Sequence, residues 1–114
     1  MCIRDSFNGE QVIPKKWVDE TLQIDDKLRS NMKANLSYSE EPWTAYHNMW
    51  WVIDETAGEY CAMGIHGQVM YINRSVDMVM VWFSSQPGAG NPRNPNTQSK
   101  LKAARQLALH LGRQ

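Results

Sequence analysis

Six consecutive apolar residues, Met78-Val79-Met80-Val81-Trp82-Phe83, constrain this chain more than any other stretch. β-Branched and aromatic side chains in so short a run fit a strand. The lack of polar alternation predicts a strand covered on both faces, usually central in its sheet. A strand wetted on one side would alternate apolar with polar residues. Covering both faces takes two further layers, and the sequence offers little to build them. An amphipathic helix near the carboxy terminus can cover one face; the short helix expected after Pro14 is too small to cover the other alone. The apolar surface of this strand therefore exceeds what the rest of the 114 residues can bury. Either upstream sequence of the same domain completes it, or copies of the chain associate.

Composition narrows the function classes. An apolar content of 42% with 12 basic and 12 acidic residues is ordinary for a soluble globular domain, and such a balance points to neither nucleic acid nor an anionic membrane as partner. No apolar run approaches the roughly 20 residues of a membrane span. The opening Met1-Cys2-Ile3-Arg4-Asp5-Ser6 lacks the apolar core of a signal peptide and resembles a translated sequencing-adapter leader, so residues 1–6 read as non-native and 7–114 as the protein proper. The compartment stays open. Cys2 and Cys61 give neither a disulfide framework nor a metal spacing and are expected as free thiols. Five Trp and seven Met ask for enclosure, in a core or around an apolar pocket.

Along the chain, Pro14 is placed to open a helix to about Thr21 carrying Trp17, Val18 and Leu22 on one side. Gln23 to Trp43 is polar and irregular, which predicts loop with at most one helical turn. Strand signals follow at Asn48–Ile53, Tyr60–Met63, Gln68–Ile72 and Val76–Ser84, with turns at Asp54–Gly58 and Asn73–Ser75 and a glycine-bracketed Gly64-Ile65-His66-Gly67 between the middle two. Pro87 to Pro95 cannot continue a strand. Beyond it a helix capped by Asn96 or Thr97 is expected, with Leu101, Ala104, Ala108 and Leu111 on one face and Lys100, Lys102 and Arg105 outside. The sum is an α+β fold: an antiparallel meander of about three strands flanked by a short N-terminal and a C-terminal helix.

Three strings, Tyr46-His-Asn-Met-Trp-Trp-Val, Gly64-Ile-His-Gly-Gln-Val-Met-Tyr-Ile-Asn and Val79-Met-Val-Trp-Phe-Ser-Ser-Gln-Pro, are together similar to class C-type members of the β-lactamase and penicillin-binding family, notably the 6-aminohexanoate-dimer hydrolases. Gly9 to Val18 also resembles the segment that precedes the last strands there. The resemblance implies the carboxy-terminal part of a β-lactamase-like (transpeptidase) fold. Such enzymes use a Ser-x-x-Lys whose serine attacks the acyl carbon, a Tyr that moves protons, and a Lys-Thr-Gly-like strand that lines the pocket. A serine must lose its proton to a group of tuned pKa, and the strand adds a backbone N–H that stabilises the oxyanion. By the match, Gly64 holds the place of that motif's glycine and Ile65 supplies the oxyanion N–H, while Ala62 and Met63 stand where many relatives have Lys and Thr. Losing that cation and hydroxyl favours small amide or ester substrates over penicillins. Gly64, His66, Gly67, Gln68, Tyr60 and Trp50 are the residues expected to bind substrate. No cofactor is implied.

Each of these also has a plainer reading. Gly64 and Gly67 could be a bulge between strands. His66 and Gln68 could be solvated turn and strand residues, and Trp50, Trp51 and Tyr60 could be core aromatics. Two Ser-x-x-Lys strings, Ser30–Lys33 and Ser99–Lys102, invite a complete enzyme, but Ser30 lies too close before Tyr46 and Ser99 follows the glycine strand. His47, His66 and His110 show no ligand spacing, so no metal is expected. Asn35-Leu-Ser37 and Asn73-Arg-Ser75 fit a glycosylation pattern that short sequences meet by chance. Three functions compete: the non-nucleophilic end of an acyl-transfer serine hydrolase, a complete small binding or homodimerising module with a Trp-rich sheet, and, more weakly, a penicillin-binding relative that senses without catalysis.

Overall fold

The structure, a computed structural model, describes residues 6–35, 42–90 and 95–113. Its centre is a five-stranded antiparallel sheet in sequential order: β3 (Ala45–His47), β4 (Trp50–Asp54), β5 (Glu59–Gly64), β6 (Gln68–Asn73) and β7 (Met78–Trp82). A separate two-stranded ribbon pairs β1 (Ser6–Phe7) with β2 (Glu10–Gln11). The helices are α1 (Lys15–Glu20), α2 (Asp26–Ala34) and α3 (Pro95–Leu111).

The meander has five strands against about three expected: all four strand runs of the sequence form strands, and one turn adds a fifth. Asn48 and Met49 both have left-handed backbone, φ 48° and 65°, and form a two-residue hairpin turn. The apolar run Trp50–Asp54 is thus a strand that starts after the turn, and Ala45–His47 folds back as an additional one. Asn suits a left-handed position; Met does not, which is why the turn was hidden.

The stretch expected as loop between Gln23 and Trp43 contains the nine-residue α2. The Asp25 side chain accepts from Leu28 N at 2.8 Å and caps it, and Asp26 adds negative charge in the first turn. Polar residues surround a narrow stripe, Leu28 and Met32 four apart, of which Met32 is buried. Helix α1 follows Pro14 as expected and buries Val18, while the Thr21 hydroxyl, also buried, donates to Trp17 O.

The two faces of the sheet are covered unequally. Against α3 lies a core of Cys61, Val69, Tyr71, Met78, Leu101, Ala104 and Ala108, joined by Met32, Trp43 and Ile53. Leu101, Ala104 and Ala108 bear out the predicted helix face, but Leu111 is 39% exposed and Thr97 takes part in the buried side. On the other face Val52, Tyr60 and Ile72 pack with Leu22, Ile24 and Trp50, so the α1–α2 connection covers the β4–β5 side.

Strand β7 corrects the opening expectation. It lies at an edge of the sheet, and its burial alternates: Met78, Met80 and Trp82 face α3, while Val79 and Val81 point away and are 36% and 47% exposed. The uniform apolar run therefore marks an alternating strand whose outer face is apolar too. Met70, opposite Val81 on β6, is 38% exposed and continues this surface.

Candidate active site

Strands β5 and β6 pair without interruption from Glu59↔Asn73 to Gly64↔Gln68, and the three residues between them form a tight turn. In that turn His66 has φ 59° and Gly67 φ 79°. For His66 this is an uncommon conformation held by its surroundings; for Gly67 it is natural. A side chain at 67 would also have to push aside the amide end of Gln86, which lies over this position.

The segment after β7 encloses the turn. His66 N donates to Ala89 O at 2.7 Å, Gln86 N donates to His66 O at 3.1 Å, and the His66 ring contacts Gln86 O through Nδ1 at 2.8 Å. A carbonyl only accepts, so Nδ1 carries the proton of that bond and a neutral His66 presents Nε2 as an acceptor. From α3, Lys100 Nζ donates to Gly67 O at 2.8 Å. All of these bonds engage His66 or Gly67. The Ile65 amide takes part in none of them, and Ile65 is 64% exposed.

The seven residues singled out from sequence fall into two groups. Gly64, Ile65, His66, Gly67 and Gln68 are contiguous at the hairpin tip, with Gly64, Ile65 and Gln68 exposed and the other two half-buried. Trp50 and Tyr60 stand together on the sheet face away from α3, rings edge to face with centroids 5.2 Å apart. Tyr60 is fully buried and acts as a wall behind Trp50; Trp50 is partly exposed. Lys100 was read as a solvated helix residue, and its reach to Gly67 O had no signal in a pattern that simply placed it outside the apolar face.

A second polar cluster lies on the α3 face. The Tyr71 hydroxyl donates to Glu59 Oε1 at 2.8 Å, Arg105 Nε donates to the same oxygen at 2.7 Å, and Asn73 Nδ2 donates to the Tyr71 oxygen at 3.3 Å. Burial, with Glu59's negative charge adding to it, pushes the Cys61 thiol up to about 12. Burial likewise pushes the Tyr71 phenol up. Neither group is prepared to act as a nucleophile or base near neutral pH. A groove of about 720 Å³ opens beside this cluster, and none of Gly64 to Gln68 lines it. Asn73 is 7% exposed and its Oδ1 accepts from Ser75 N and Ser75 Oγ, so it is no glycosylation acceptor in the folded chain. The other pattern, at Asn35, runs into residues outside those described.

The serine-lysine strings are on helices, but both hydroxyls are turned to their own backbone: Ser30 Oγ donates to Asp26 O at 2.7 Å and Ser99 Oγ to Pro95 O at 2.8 Å. Among the described residues no group of three or more His, Cys, Asp or Glu could hold a metal ion, and no helix is long and apolar enough to cross a membrane. Cys61 is a free thiol; Cys2 lies outside the described residues.

The hairpin tip is thus a turn held at His66 and Gly67 from the segment after β7 and from α3, with Ile65 exposed beside them. Over 79 residues, 69% of this chain, the sequence is 30% identical to the 6-aminohexanoate-dimer hydrolase of Paenarthrobacter ureafaciens. The chain spans about a fifth of that relative, the match covering 20% of its length. No family model and no solved structure matches. The likeness is thus a distant one to a hydrolase, reaching no further than the β-lactamase-like serine hydrolases as a superfamily.

Proposed function

We propose that this chain is the carboxy-terminal part of a β-lactamase-like serine hydrolase domain that cleaves small amides or esters through an acyl-enzyme. In this reading Ile65 N–H is one of two oxyanion donors, and Gly64, His66, Gly67, Gln68 and Trp50 border the acyl pocket, with Tyr60 behind Trp50. Residues 1–6 are a foreign leader. The serine, its lysine and the proton-moving tyrosine come from upstream sequence of the parent. That serine attacks the carbonyl carbon, the carbonyl oxygen gains negative charge, and two N–H groups stabilise it before the alcohol or amine departs. Water then repeats the sequence on the acyl-enzyme.

The observation that carries the reading is the exposed position of Ile65 at the hairpin tip, its amide outside the bonds that hold His66 and Gly67. The distant hydrolase likeness supports it, as does the apolar surface of Met70, Val79 and Val81. A helix or strand from the remainder of such a domain would cover that surface.

The test is to recover the upstream open frame and assay the rejoined protein on chromogenic amides and esters. Ile65→Pro deletes the N–H, and proline is tolerated in the first position of such a turn. A drop in kcat of about 10²–10³-fold is expected, the loss typical of one oxyanion donor. The 114-residue chain alone should be inactive. Turnover by it that Ser30→Ala abolishes would end the proposal. The open edge and apolar outer face of β7 favour a second reading, a homodimerising module. A monodisperse dimer of this chain that unfolds cooperatively, with no open frame upstream, would support that instead.

A further inference from the structure

We propose that Lys100 is a positioning residue for the Ile65 amide, acting with Gln86 and Ala89 as a clamp on the turn that carries it. The inference rests on reading Ile65 N–H as an oxyanion donor. A donor is useful to catalysis only if it is already aimed, because a turn that reorganises during the reaction gives back much of the stabilisation. This turn has two left-handed residues in succession, His66 at φ 59° and Gly67 at φ 79°. Such backbone persists when its surroundings hold it.

Here the holding groups come from outside the hairpin. On one side the ladder ends at the Gly64↔Gln68 pair. On the other, both backbone polar groups of His66 are engaged by the segment after β7, the N–H by Ala89 O and the C=O by Gln86 N, and the His66 ring returns to Gln86 O. Lys100 takes the next carbonyl, Gly67 O, at 2.8 Å. An ammonium donor makes this the strongest type of bond in the set. The amide end of the Gln86 side chain lies over Gly67, so a larger residue there would have to displace it as well as adopt a left-handed backbone. The Gly64–Ile65 peptide lies between ladder and clamp; Ile65 is 64% exposed, and its N–H takes no part in the bonds that hold His66 and Gly67. Lys100 sits near the start of α3, while the hairpin it reaches was formed more than thirty residues earlier, so the contact ties the turn to the helix.

Amide hydrogen exchange and ¹⁵N–¹H spectra of the 114-residue chain test this. In the unaltered chain the Ile65 amide should exchange near the open-chain rate and the His66 amide at least about tenfold more slowly. Lys100→Met keeps the length of the side chain and removes the charge. It should speed His66 exchange about tenfold, as expected for loss of a hydrogen bond to a charged group, and shift the Ile65 cross-peak. Tyr71 exchange should stay as it was, and Lys100→Arg should restore the Ile65 shift. Unchanged Ile65 and His66 signals in Lys100→Met would overturn the clamp. So would an equal effect at Tyr71, which would mark general destabilisation, or turn resonances without dispersion in the unaltered chain. These outcomes do not depend on the chemistry. Failure of the hydrolase reading would show elsewhere, as undiminished turnover by the rejoined enzyme after Ile65→Pro.

Discussion

The two faces of the sheet are made of similar residues and have different fates. Toward α3, Cys61 and Tyr71 are fully enclosed, and Leu101 and Ala104 of the helix fit against them. Away from α3, the β4–β5 side is covered by Leu22 and Ile24, but Met70, Val79 and Val81 on β6 and β7 stay a third to a half exposed. Apolar content alone thus says that a surface is meant to be covered without saying that this chain covers it. Large apolar patches on soluble proteins generally mark an interaction surface.

The sharpest way to break the comparison is to truncate one residue on the enclosed face. Leu101→Ala should cost about 3 kcal/mol, through lost transfer energy and the cavity left behind. Urea unfolding would read it as a lower midpoint at unchanged slope. A loss under about 1 kcal/mol would mean that α3 is not firmly docked.

A second test is alkaline pH, which senses the same face. The folded chain holds the Cys61 proton up to about 12, whereas the unfolded thiol titrates nearer ~8.5. Between these values the folded state binds more protons, so stability is whole below about pH 8.5 and declines as pH rises, by up to about 1.4 kcal/mol per unit. The raised Tyr71 phenol adds to the decline above the ordinary tyrosine range. Unfolding midpoints from pH 8 to 10 should fall, and Cys61→Ala should flatten the first part of the curve. An equal slope in Cys61→Ala would contradict the assignment.

The smallest effect belongs to the open face. Val81→Lys should change stability by less than about 0.5 kcal/mol and reduce self-association in sedimentation measurements. A cost of about 2 kcal/mol would show that something in this chain does bury Val81, and the contrast between the faces would collapse.

Much of the fold was legible in the sequence where one periodicity spoke clearly. The strands of the β5–β6 hairpin and the Leu101, Ala104 and Ala108 face of α3 agree with their patterns to within a residue or two at the ends. Helix α2 was hidden because its apolar stripe is one residue wide per turn, and β3 because its turn places Met49 where glycine would normally announce it. The Met78–Phe83 run misled for a subtler reason. Uniform apolarity reports what a strand's faces require, and β7 sits at an edge of this sheet with one of those requirements unmet. Of the candidate site, the glycine-bracketed tip was readable from resemblance. The grip on it by Gln86, Ala89 and Lys100 was not, since a lysine on a polar helix face gives no sign of where its ammonium goes.

Helix α3 touches the β5–β6 hairpin at both ends, through Arg105 to Glu59 at the base and through Lys100 to Gly67 at the tip. Slipping one strand past the other by a single residue would turn its apolar side chains to the wrong face, so the core forbids it. Slipping by two would return every side chain to its proper face, and hydrophobic packing would discriminate only weakly. Such a shift would move Glu59 and Gly67 relative to one another while α3 keeps Lys100 and Arg105 at a fixed spacing, so the two polar ties oppose it. Alignment of this hairpin is therefore measured off by the helix, as a gauge block measures a gap, and the turn at its tip is set to the same standard.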